Sequence, residues 1–137
     1  MRLLVFLSIA IASFMPVAHA NECDGVITIV RISNYVTGGS ETGLRTASAA
    51  HQKWYRENGA SENQQIVAPL LKYGETDTLM VDKDRAATLH VNYPASTLAR
   101  ENEGNEGWQS FLALYAANTE IADTYYLCLP KELLEQY

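Results

Sequence analysis

The sequence predicts one small α+β domain with elements in the order β-α-β-β-α-β, and three observations carry that reading. Four short stretches are β-branched or alternate apolar with polar residues, as strands do. Two further stretches repeat apolar residues at helical spacing, one after the first strand and one before the last. The chain behind residue 20 is of ordinary single-domain length, so one core accounts for all of it.

Residues 1–20 read as a secretory signal peptide. Arg2 supplies a positive start, Leu3 to Met15 an apolar run, and Pro16 followed by Ala18-His19-Ala20 a small-x-small cleavage site. The apolar run is too short for a spanning helix, which needs about 20 residues, so no membrane anchor is expected after cleavage. The expected mature domain is 21–137, periplasmic or secreted. Loss of Arg2 takes the formal charge from −6 to −7, with 9 basic residues against 16 acidic ones. Nucleic acid is not an expected partner, because phosphate affinity comes from clustered Lys and Arg.

Gly25 to Ser33 is the first strand, β-branched and placed to be central. Gly38-Gly39 breaks the chain, and Ser40 caps a helix running to about Asn58 with Glu41 in its first turn. Leu44, Ala47, Ala50, His51 and Trp54 form its buried stripe, and Gly59 suits the position after its end. Gln64 to Tyr73 is the second strand. Pro69 lacks an N–H, which assigns that strand to an edge or a bulge. Leu79 to Val81 reads as an extension of it, and Asp82 to Arg85 as a solvated polar connection.

Ala86 to Tyr93 alternates as a half-buried third strand ended by Pro94. A polar stretch from Arg100 to Gly107 leads to a second helix, started by Asn105 and Glu106, with Trp108, Phe111, Leu112 and Tyr115 at i, i+3, i+4 and i+7. Ile121 to Leu129 is the fourth strand, stopped by Pro130, and a short acidic tail of helical character follows. This order fits a ferredoxin-like βαββαβ sandwich with both helices on one sheet face. In that topology the first and last strands are antiparallel neighbours, which brings Cys23 beside Cys128. An even cysteine count in an exported chain independently predicts a disulfide between them.

Motifs of the common enzyme classes are absent: there is no GxSxG, HExxH, P-loop, dinucleotide glycine fingerprint, calcium loop or CxxC. The expected mature chain holds two histidines, His51 and His90, too few to specify a metal site, and none is expected. Strand alternation sets Leu89 and Val91 against Thr88, His90 and Asn92, so the apolar set is expected beneath the helices. The face away from the helices then gathers His90, Asn92, Arg31 and a tyrosine into a candidate ligand pocket. Ile121, Asp123, Tyr125, Leu127 and Leu129 share one face by the same count, and Asp123 is a candidate ion-pair partner for Arg31. Trp54 with Tyr55 is either helix–sheet core or a stacking platform for an aromatic ligand, whereas Trp108, Phe111 and Tyr115 are core.

With the helix Ala49-Ala50-His51-Gln52-Lys53-Trp54-Tyr55-Arg56-Glu57-Asn58-Gly59 and the later Asn105-Glu106-Gly107-Trp108-Gln109-Ser110-Phe111, the chain resembles the dimeric α+β barrel superfamily, antibiotic-biosynthesis-monooxygenase-like members included. The resemblance spans most of Val26 to Leu129. It implies a homodimer packed sheet to sheet with helices outside, each half enclosing a pocket. Superfamily members include cofactor-independent oxygenases acting on polycyclic phenols, haem proteins and isomerases. Haem-using members carry their iron-binding histidine on or near a helix of the second half. The second helix here has none, so no cofactor is expected.

Three functions are consistent with these residues. The first is an exported protein binding a small polar or anionic aromatic ligand through His90, Asn92, Arg31 and Trp54. The second is a cofactor-independent monooxygenase-like enzyme acting on a phenolic or aromatic molecule, with a histidine taking the phenolic proton. The third is a structural or stress-related dimer without catalysis.

Overall fold

The computed structural model describes residues 23–93 and 97–133; the expected signal segment 1–20, Pro94 and the end of the acidic tail lie outside them. The elements are β1 (Val26–Tyr35), α1 (Glu41–Glu57), β2 (Gln64–Tyr73), β3 (Leu79–Val91), α2 (Thr97–Asn102), α3 (Glu106–Ala116) and β4 (Thr119–Leu129), followed by a 3-10 turn at Lys131–Leu133. The four strands form one antiparallel sheet in the order β2-β3-β1-β4. This is the predicted α+β sandwich, with α1 and α3 on one face of the sheet. The short α2 occupies ground that the sequence reads as polar loop.

Local chemistry sets the helix ends as predicted. Ser40 accepts the Gly43 N–H as N-cap of α1, and Gly59, at φ +84°, turns the chain away after the Asn58 cap. Asn105 caps α3 by accepting the Trp108 N–H. Asn118 joins three elements: its carbonyl accepts the Val36 N–H, its side-chain oxygen accepts from the Ser40 N–H, and its amide donates to the Leu114 carbonyl. Gly39 fits against this junction because a Cβ there would stand 2.1 Å from the Asn118 carbonyl oxygen.

Cys23 and Cys128 are bonded, with Cα atoms 5.6 Å apart across 105 residues of chain. Ile27 pairs with Cys128 in the β1–β4 ladder, so the antiparallel neighbours named above do bring the cysteines together. The second strand is an edge strand, and its register against β3 shifts immediately after Pro69, as a residue without an N–H requires.

Three expectations are corrected. Leu79 to Val81 belongs to β3, not β2, and pairs back onto Leu71 to Tyr73 as a hairpin. Asp82 to Arg85 is not a solvated loop but a bulged part of β3. Asp82 is only 4% exposed because its carboxylate accepts from Lys72, Arg85 and the Asp84 N–H, which hold its pKa down to about 2.

The third correction concerns the faces. Thr88 and His90 lie beneath the helices, and Leu89 points the other way. Val67, paired with Thr88, packs with Leu44 of α1 and Ala86, while His90 meets the rings of His51 and Tyr55. The reason is that His90 packs as a ring among the rings that α1 and α3 bring to this layer, while Ile29 and Val67, on the same face, supply the sheet's apolar contacts.

Candidate functional site

The inner sheet face is built by register. His90 stands opposite Ile29, and Thr88 opposite Arg31, so Arg31 is the diagonal neighbour of His90 on one face. On the far side Ile29 pairs with Tyr126 and Arg31 with Thr124. A β-bulge between Ile32 and Ser33 then reverses the alternation of β4, so that Ile121 and Thr119 face inward while Asp123, Tyr125 and Leu127 face outward. The expected common face for these β4 residues is therefore split. Asp123 pairs with Ile32, the neighbour of Arg31, so it projects to the opposite side of the sheet from Arg31 and is not its ion-pair partner.

Between this face and the helices lies a cavity of about 490 Å³. Arg31, Thr88 and His90 form its floor, and His51, Tyr55, Trp108, Phe111 and Tyr115 form its helical wall. Its size is that of a small-molecule site, and its lining mixes aromatic rings with polar side chains, Ser33, Thr119 and Glu103 besides those of the floor. His51 stacks on Phe111 with ring centroids 4.2 Å apart and meets Tyr115 edge-on, its Nδ1 3.3 Å from the Tyr115 hydroxyl. His90 lies 5.0 Å from the His51 ring, 4.7 Å from Tyr55 and 5.5 Å from Tyr93. It is 2% exposed, and its Nε2 has no hydrogen-bond partner among the described residues.

Burial fixes the charge state of these groups. His51 is pushed down to about 3, first by desolvation and then by His90 and Arg31. His90 falls to about 4, again by desolvation first and Arg31 second. Desolvation raises the Tyr55 phenol to about 12, with Glu103 adding to the rise, and raises Tyr115 as well. At neutral pH both imidazoles are uncharged and both phenols keep their protons. Arg31 is thus the charge on the cavity floor, and among the described residues no carboxylate lies within ion-pair distance of it. Glu103, exposed, stands at the rim.

The four residues singled out in sequence separate here. His90 and Arg31 come together, but on the helix-covered face rather than the open one. Asn92 is not with them. It turns the chain at φ +62°, donates to the Glu62 carbonyl at 2.6 Å, and lies in a separate, more open cleft beside Gly25 and Asn63. Trp54 is one layer behind the cavity wall, its Nε1 donating to Asn105 Oδ1 and its ring against Trp108 and Tyr55. His51, Trp108 and Tyr115 line the cavity although their helical spacing reads as plain core, and Tyr55, read with Trp54 as either core or a stacking platform, lines it too. The signal available in sequence was His51 itself, a titratable side chain within an apolar helical stripe.

No family model matches the sequence, and no curated protein does. Among solved structures the chain is similar to SnoaB, a cofactor-independent oxygenase from Streptomyces nogalater, at 9% sequence identity and a TM-score of 0.44, over 78% of this chain and 95% of that one.

Proposed function

We propose that the protein is an exported small-molecule-binding protein that holds a planar aromatic ligand in the cavity between α1, α3 and the sheet. The observation that carries this is the His90 side chain, buried at the cavity floor with no partner for Nε2 among the described residues. A buried polar atom without a partner costs about 1 to 3 kcal/mol, and a ligand atom bonded to it removes that cost. The surrounding rings supply flat apolar surface for stacking. Export is supported by the leader at 1–20 and by the disulfide, a bond of oxidising compartments.

Trp108 reports occupancy because it lines the cavity. Titration with 2-naphthol is expected to quench its fluorescence saturably at one site per chain, and Trp108→Phe is expected to remove most of that change. Absence of saturable quenching overturns the reading.

A second copy is part of this proposal. Val30, Ile32, Ile66, Leu89, Tyr125 and Leu127 share the sheet face away from the helices, and Ile66, Tyr125 and Leu127 are 42%, 52% and 42% exposed. A continuous apolar sheet face of this kind is covered when two copies pack isologously. Leu127→Glu sets a charge in that interface and its symmetry mate. Native mass spectrometry is expected to shift from dimer to monomer; a wild-type monomer refutes the pairing.

One observation favours a second reading, an oxygenase that needs no cofactor and acts on a phenol. His90 presents an unpaired Nε2 inside the cavity where a phenol would lie; burial weakens it as a base, and a phenolate formed beside it would offset that by pairing with the imidazolium. Oxygen uptake with 1,4-dihydroxynaphthalene above the uncatalysed rate, lost in His90→Ala, separates this from binding alone.

A further inference from the structure

From the floor of the cavity we infer that Arg31 and His90 together form an anion subsite, and that the ligand is an aromatic acid whose carboxylate is buried against the sheet. This inference rests on the proposed aromatic site and adds the chemical class of its occupant. Arg31 brings a permanent positive charge and a planar fork of N–H donors matched to a carboxylate. It has no ion-pair partner among the described residues, and Asp123, opposite Ile32, projects to the other side of the sheet.

His90 completes the pair. Diagonal neighbours across antiparallel strands stand about 7 Å apart, and a carboxylate spans such a gap by giving one oxygen to each donor. A neutral imidazole carries its proton on either nitrogen, so Nε2–H is free to donate once an acceptor arrives. Charge selects further. The protein is acidic overall, at −6, so its outer field repels anions and does not gather them. The attraction lies inside, where apolar walls reduce screening and a small acid fits but a polyanion does not. Glu103 at the rim adds to that exclusion.

The test compares 2-naphthoate with 2-naphthamide, which share shape and differ in charge, by isothermal titration of the full mature protein. Naphthoate is expected to bind at least tenfold more tightly. Arg31→Gln is expected to bring naphthoate to the amide's level, with both compounds still binding, and an unchanged far-UV circular dichroism spectrum shows that the variant is folded. Arg31→Lys, retaining charge without the fork, is expected to restore part of the preference. Equal binding of both compounds overturns the anion subsite and leaves the aromatic cavity standing. Failure of both to bind overturns both. A preference that survives Arg31→Gln but disappears in Lys131→Gln places the carboxylate in the open cleft beside Asn92 and overturns the assignment.

Discussion

Acidification from pH 7 to pH 4 is expected to destabilise the protein by on the order of 5 kcal/mol, enough to unfold a domain of ordinary stability. His51 and His90 have folded pKa values lowered to about 3 and about 4, against 6.5 for an exposed imidazole. Below pH 6.5 the unfolded chain therefore binds two protons that the folded chain refuses. Stability is complete above that value and falls as the pH drops toward the folded pKa values. Asp82, lowered to about 2, adds a further loss only below about pH 4, so the two windows separate. Urea midpoints measured from pH 7.5 to 3.5 check the claim, and His51→Gln is expected to flatten the curve. A midpoint constant between pH 7 and pH 4.5 would show that the histidines are not buried as described.

Removing the disulfide by Cys23→Ser with Cys128→Ser is expected to cost about 4 to 5 kcal/mol, read as a lower urea midpoint with a steeper slope, because the unlinked unfolded chain exposes more surface. The magnitude follows from loop length: the bond closes 105 residues, so its absence returns a large conformational freedom to the unfolded chain. Reduction of the wild type is expected to give the same midpoint as the double variant. Stability that is indifferent to both treatments would mean that the bond constrains nothing the sheet does not already hold. Because β1 and β4 pair along ten positions from Val26 to Tyr35, the reduced protein is expected to keep its topology while becoming easier to unfold.

The order of elements was legible in the residues because it rests on local physics. Ser40 and Asn105 cap helices by bonds reaching three residues along the chain, Gly59 turns where a positive φ is needed, and Pro69 disturbs the ladder wherever it stands. The pairing of Cys23 with Cys128 was also readable, since topology leaves the two ends of the sheet side by side. These features depend on near neighbours or on connectivity, and both are written in the sequence.

What only the tertiary structure decided is which way the faces look and what meets across them. The alternation of Leu89 with Thr88 and His90 divides two faces but does not name the one that the helices cover; contacts with distant residues settle that, since His90 packs against the rings of His51 and Tyr55. The same holds for Ile121 and Asp123, parted by a single bulged residue that no periodicity marks. His51, Tyr115 and His90 lie far apart in the chain and become a site because α1 and α3 pack together over one face of the sheet. The sequence by itself thus determined the α+β order and the covalent link. The cavity, its neutral histidines and its unpaired arginine are products of packing, since burial and side-chain partnership belong to contacts between distant residues.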